Sequence, residues 1–349
     1  MKLSVIVTCY NQNRDNLIRK CLDSVLDLEI QDAEFILVDD CSTDGSYEIL
    51  KEYEKNFAPL VTVIRHEQNK GAGGARNTGI RAAKGEYISY IDGDDFVSER
   101  FYWELLKTLR AAGDVDLVGP DYVKTTYEGD ILYKEETQLK PQMSFIDDDT
   151  KARMLVKGER SVGRLYRRAL IVDNGLWFPE NIAFEDSPVT CFWTNLCNSY
   201  AYCPDAVYYY RKTAKSLTTS RLTVKKTEEH YKSQQVLIEN GRRLGVYEKF
   251  SKELDYRLYR RDFLYKLKEC VLDFSDEERD AYYKKVCALF KDNTTDLLNN
   301  PYIEEKDRRD LREFLEDPCA FGKKQASKIK RKTEFLKTCA KIKHTILRK

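Results

Sequence analysis

Five short apolar runs alternate with four helical stretches over the first 119 residues, and no other feature constrains the fold as much. The runs are Leu3–Thr8, Ala33–Val38, Val61–Arg65, Tyr87–Ile91 and Asp116–Gly119. Between them lie Asp15–Leu28, Tyr47–Phe57, Ala75–Ala83 and Glu99–Ala112. Short runs rich in β-branched and aromatic residues read as buried strands. Their alternation with helices predicts an α/β fold, a mainly parallel sheet flanked by helices. Such sheets bind ligands in the crevice beyond the carboxyl ends of their strands. Those ends are Thr8-Cys9-Tyr10-Asn11, Asp39-Asp40, His66–Gly74 and Asp92–Asp95. Asp, Asn and Gly are also ordinary turn residues, so each end has a bland reading too.

Three carboxylates, Asp92, Asp94 and Asp95, follow the Tyr87–Ile91 run with only Gly93 between them. Like charges so close repel, and a divalent cation with oxygen ligands relieves the conflict. The bland reading is an acidic turn, with Asp95 capping the next helix. Asn69–Asn77 offers backbone N–H groups at a helix start, with Lys70 and Arg76, which suits an anion such as a diphosphate. It lacks the G-x-x-x-x-G-K-[ST] pattern of a P-loop. Glu185-Asp186-Ser187-Pro188 reads on its own as a helix start, with Pro188 near the first helical position.

With these pieces in order the chain resembles the family 2 glycosyltransferases, whose catalytic domain has the GT-A fold. The matching residues are Ser4–Asn11, Leu37–Asp44, Asn69–Ile80, Tyr90–Asp95, Phe178–Asp186 and Tyr208–Thr218, so the likeness covers about residues 1–220. One departure is Cys41, where the family usually has glycine. The resemblance implies that Thr8, Tyr10, Asp39 and Asp40 hold the base and ribose, and that Lys70 and Arg76 face the nucleotide sugar. Asp92 and Asp94 match the D-x-D signature, which binds Mn²⁺ or Mg²⁺ and through it the diphosphate. Asp186 matches the general base, with Glu185 beside it. Arg211, with Ser216 and Thr218, matches a segment close to the diphosphate or acceptor. A metal and a guanidinium both stabilise charge on a leaving diphosphate, and one base then suffices for inverting displacement.

The expected domains are a catalytic domain at 1–220, a helical appendage at 221–321 and a basic amphipathic helix at 322–349. The appendage shows helical patterns at 224–244, 247–274, 276–291 and 302–316. Residues 322–349 carry eleven Lys or Arg and one acid, with Phe335, Cys339, Ile342 and Ile346 along one face. That pattern suits an anionic membrane surface, or packing on the domain or on a second copy. Asp147–Asp149 reads as a solvated loop or helix cap, and Pro120–Gln142 as irregular or a hairpin turning at Glu128–Asp130. Either Trp177 or Phe178 is a candidate to contact a sugar ring, and Trp177 reads equally as core.

A net charge of +1 gives no global field to attract nucleic acid. Ten scattered cysteines form no C-x-x-C pair, so a zinc site is not expected and a reducing cytoplasm is. The expectation is an inverting, metal-dependent transferase. It moves one sugar from a nucleotide-diphosphate sugar, a UDP-sugar by preference, to a glycan or lipid-linked acceptor in cell-surface glycan synthesis. The lack of membrane spans and of a Q-x-x-R-W motif favours single addition over processive synthesis. Oligomeric state is left open. One rival is a nucleotidyltransferase, which needs a basic glycine-rich loop near the first strand; Thr8–Asn13 has neither glycine nor cation. The other is an inactive carbohydrate-binding relative, which predicts a damaged acid set, whereas Asp40, Asp92, Asp94 and Asp186 are all present.

Overall fold

The computed structural model describes residues 2–26, 30, 32–135, 143–158, 160–212, 222–267, 270, 274–329 and 331. The chain divides into two compact units, Met1–Ser220 with Lys232–Gly245, and Arg221–Tyr231 with Val246–Lys349.

The first unit is a mixed α/β sheet with flanking helices. Its strands are β1 (Leu3–Cys9), β2 (Ala33–Asp39), β3 (Val61–Arg65), β4 (Tyr87–Asp92), β5 (Phe96–Val97), β6 (Leu117–Thr125), β7 (Ile131–Glu135), β8 (Met143–Phe145), β9 (Leu165–Arg167) and β10 (Ser199–Arg211). They run in the order β3-β2-β1-β4-β9-β6-β10-β5, with β7 on β6 and β8 on β10. Neighbours β3, β2, β1 and β4 are mutually parallel. Strand β9 is antiparallel to both β4 and β6, so β6 and its parallel partner β10 point the same way as β4. The carboxyl ends of β1, β2, β3, β4, β6 and β10 therefore share one edge. The helices are α1 (Leu17–Val25), α2 (Ser46–Asn56), α3 (Gly71–Ala82), α4 (Phe101–Ala111), α5 (Asp148–Lys157), α6 (Arg168–Val172) and α7 (Ser187–Leu196).

Several boundaries differ from the sequence expectation for identifiable reasons. The first helix begins at Leu17 because Asp15 and Asn16 take positive φ, after a 3-10 turn at Arg14–Asn16. Helix α4 starts after Arg100, whose φ is 56°. Helix α3 begins at Gly71, inside the stretch expected as a loop. Its glycines permit close approach: a Cβ on Gly73 would lie 2.4 Å from the Pro179 carbonyl oxygen, and one on Gly79 2.3 Å from Ile6 Cγ2. Strand β6 runs on through Pro120, where a break was expected. Its partner β10 shifts register between Tyr202 and Val207 opposite that residue, so no ladder bond needs the missing N–H. The expected hairpin is present, as β6 and β7. Asp147 caps α5 by accepting from the Thr150 N–H at 2.8 Å.

In the second unit, the pattern expected at 247–274 is interrupted. A short helix at Val246–Lys249 precedes Ser251–Tyr259, and a π-helical stretch at Arg260–Lys266 follows. It places Asp262 3.1 Å from His230, both buried. The helices Asp276–Asn293 and Glu305–Glu316 follow, the first closed by a capping box between Ser275 and Glu278. Phe335, Cys339, Ile342 and Ile346 lie outside the described residues. Among the described residues no helix is long and apolar enough to cross a membrane.

Candidate functional site

The strand order reverses between β1 and β4, and open α/β sheets bind ligands at such a switch point. Thr8 and Asp92 are register partners there, with the Thr8 hydroxyl 3.4 Å from Asp92 Oδ1. Tyr10, just beyond β1, is 48% exposed and free to meet a ligand.

Asp39 is fully buried at the end of β2. Its Oδ2 accepts from the Ser42 N–H at 3.2 Å and pairs with Arg65 Nε at 3.3 Å. Its Oδ1 has no hydrogen-bond partner among the described residues. Asp40 Oδ1 lies 2.7 Å from His66 Nδ1 and accepts from the Lys70 N–H at 2.8 Å. His66 Nε2 is 2.8 Å from Thr78 Oγ1, so this imidazole ties the end of β2 to α3. The sequence reading gave His66 no such part. Cys41 takes φ +66°, the left-handed region that glycine enters freely, so the backbone here suits the glycine usual in the family and the cysteine sits in a strained conformation.

Arg76, expected at the nucleotide-sugar loop, is only 5% exposed. Its Nη1 donates to Glu185 Oε1 at 2.5 Å and its Nη2 to Asp92 Oδ1 at 2.8 Å. The guanidinium lies over the rings of Tyr90 and Phe178, at 4.9 and 5.3 Å. It thus joins the carboxyl end of β4 to the segment before α7. Burial raises the Glu185 carboxyl, Arg76 pulls it down, and Asp186 raises it further; the rise prevails. Phe178 is buried among Tyr90 and Trp193. It is a core residue, which corrects its candidacy as a sugar-contacting ring. The Trp177 ring lies under Arg81, at 5.0 Å.

Burial, then the nearby Asp92 carboxylate, pushes the Asp94 carboxyl up to about 6. Asp95 is raised well above the carboxylate range by burial and by both neighbouring acids. It accepts from the Tyr208 hydroxyl at 2.6 Å and the Arg211 N–H at 2.8 Å, tying β10 to the acidic turn. Asp95 is a supporting acid and does not cap α4, whose flanking residue is Arg100. Arg211 is buried over the Phe96 ring at 4.6 Å. Among the described residues its guanidinium donates to the carbonyls of Asp94 at 2.9 Å and Tyr127 at 2.8 Å, and no carboxylate pairs with it. Ser216 and Thr218 lie outside the described residues.

Asp186 is exposed and caps α7, its Oδ1 accepting from the Ser187 N–H at 2.7 Å. Among the described residues no three His, Cys, Asp or Glu side chains converge to hold a metal. Mg²⁺ sites in phosphate chemistry use one or two carboxylates and complete their shell with phosphate and water. The crowded Asp92 and Asp94 carboxylates fit that arrangement, and not a closed protein cage.

Residues 4–173 match the family model described as Glycosyl transferase family 2, and that segment belongs to the family. The uncharacterized glycosyltransferase EpsJ of Bacillus subtilis is 34% identical over 223 residues, covering 62% of each chain. The chain thus spans less than two thirds of that relative. The crystal structure of S. aureus TarS 1–349 in complex with UDP-GlcNAc superposes with a TM-score of 0.75 at 20% identity, over 95% of this chain and 92% of that one. The mannosyltransferase PcManGT from Pyrobaculum calidifontis, in complex with GDP-Man and Mn²⁺, gives a TM-score of 0.50 at 17% identity, over 94% and 86%. The fold is GT-A.

Proposed function

We propose that residues 1–220 transfer a single sugar, with inversion, from a UDP-sugar to a glycan or lipid-linked saccharide acceptor. One observation carries this reading. The Asp92–Asp94 pair and a buried arginine that has no carboxylate partner among the described residues stand together at the sheet's switch point. Negative side chains suited to a cation, beside a cation suited to a phosphate, are what a departing diphosphate requires. Asp92 and Asp94 would hold Mn²⁺ or Mg²⁺, which supplies Lewis-acid stabilisation of the diphosphate. Arg211, held by two carbonyls, offers its charge to the same oxygens. Asp39 Oδ1, buried and without a partner among the described residues, would accept the imide N–H of a uracil, with Thr8 and Tyr10 beside it at the end of β1. Lys70 stands at the start of α3, where backbone N–H groups favour anions. Asp186 takes the proton of the acceptor hydroxyl, its carboxylate oriented by the cap bond. The UDP-GlcNAc bound by TarS and the Mn²⁺ bound by PcManGT support this choice of donor and metal. The basic pattern of 322–349 supports contact with the cytoplasmic membrane face, where a lipid-linked acceptor would lie.

The test incubates the full chain with Mn²⁺ and UDP-sugars and measures donor hydrolysis and transfer. Asp94→Asn should abolish the metal stimulation. Asp186→Asn should lower transfer by about 10²–10⁴-fold with UDP binding retained. Metal-stimulated turnover unchanged in Asp94→Asn would refute the assignment.

A further inference from the structure

A second cluster at the same sheet edge takes no part in the chemistry above. Lys124 on β6 pairs in register with Tyr210 on β10 and with Tyr133 on β7, so the three residues share one face of three adjacent strands. The Lys124 ammonium lies 5.8 Å from the centre of the Tyr210 ring and 5.7 Å from that of Tyr133. Arg160 lies over the Tyr210 ring at 4.4 Å. Glu135 neutralises Arg160 through two bonds, at 2.8 and 2.6 Å. Among the described residues no carboxylate pairs with Lys124, so the cluster keeps one uncompensated positive charge. Tyr133 is 50% exposed, and Lys124 and Tyr210 are half-buried. Tyr210 directly precedes Arg211, whose N–H binds Asp95, so the cluster continues the reaction edge laterally.

Aromatic faces pack against the C–H faces of sugars and polyols, and a lone ammonium between them selects an anion. We propose that Tyr133, Lys124, Tyr210 and Arg160 form an acceptor subsite for a saccharide or polyol chain that carries negative charge. This rests on the transferase reading and deepens it by naming the acceptor's class. The charge can come from a phosphodiester or from a uronic acid carboxylate. The Lys124 ammonium binds either, and Tyr133 and Tyr210 hold the carbon framework on each side.

The test measures binding of three probes to the full chain: a glycerol-phosphate oligomer, an oligouronate and maltohexaose as the neutral control. The variants are Lys124→Gln, which removes the charge, and Tyr133→Ala at an exposed edge position. At least one anionic probe should bind the wild type more tightly than maltohexaose, and the tighter one identifies the source of charge. Lys124→Gln should weaken it by about tenfold or more, the effect of losing a hydrogen bond to a charged group. Tyr133→Ala should weaken it too. Equal binding of maltohexaose, failure of both anionic probes, or binding unchanged in Lys124→Gln would overturn the subsite. UDP binding, measured in parallel, judges the transferase reading separately and should be the same in both variants.

Discussion

Replacing Arg76 with methionine keeps most of its bulk and removes its charge. The change leaves Glu185, 8% exposed, without its cation, and strips one partner from Asp92. Breaking a buried ion pair from one side costs about 3–5 kcal/mol. Asp92 is 30% exposed and can turn to water, so Glu185 dominates the loss. Its carboxyl is already raised by burial against the pull of Arg76. Without the guanidinium it rises further and binds a proton, which relieves about 1.4 kcal/mol for each unit of pH below its new value. The folded state then holds more protons than the unfolded one, so the variant is most stable below the ordinary glutamate value and loses stability as pH climbs through the raised one. We expect a loss of about 3 kcal/mol or more at pH 8 and clearly less at pH 5. Urea unfolding followed by tryptophan fluorescence measures this. All three tryptophans, Trp103, Trp177 and Trp193, belong to the first unit, and Trp193 touches the two rings that flank Arg76. The double variant Arg76→Met, Glu185→Gln should recover at least about 1 kcal/mol relative to additivity. An Arg76→Met protein within about 0.5 kcal/mol of wild type at pH 8, or an additive cycle, would refute the bridge.

On the proposed assignment, a metal held by Asp94 would have to displace the proton that this carboxyl, raised to about 6, binds at lower pH. Mn²⁺ affinity, followed by titration, should therefore fall by about tenfold per unit as pH drops below that value. Gly73→Ala forces a methyl against the Pro179 carbonyl oxygen and should cost about 1–3 kcal/mol in the urea midpoint. Cys41→Gly removes a left-handed strain of about 1–2 kcal/mol and adds a smaller backbone entropy cost, so a melting scan should show net stabilisation.

The alternating sheet was legible because each buried strand writes its own apolar run. The edge holding Asp39, Asp40, Asp92 and Asp94 was legible because those residues directly follow such runs. Helix α3 was misjudged at its start because Gly71, Gly73 and Gly74 look like a loop. The need for glycine at Gly73 comes from Pro179, over a hundred residues away, which no local pattern reveals. The Arg76–Glu185 bridge joins positions 109 apart and leaves no local pattern. His66 was invisible for the same reason, since its partners Asp40 and Thr78 lie on different elements. Asp186 carried two signals at once, a cap and a family position. The structure displays the cap because capping is backbone geometry.

The tie between the acidic turn and β10 also sets a timetable for synthesis. Asp95 is made 116 residues before Arg211, the residue whose N–H it receives. At ordinary elongation rates of about 5–20 residues per second, that separation is roughly 6–23 s. During that interval the three acids stand together on a nascent chain with neither Tyr208 nor Arg211 to restrain them. The two bonds that Asp95 accepts from β10 can form only after Arg211 has left the ribosome, so a stalled or truncated nascent chain ending before it carries the acidic turn without them.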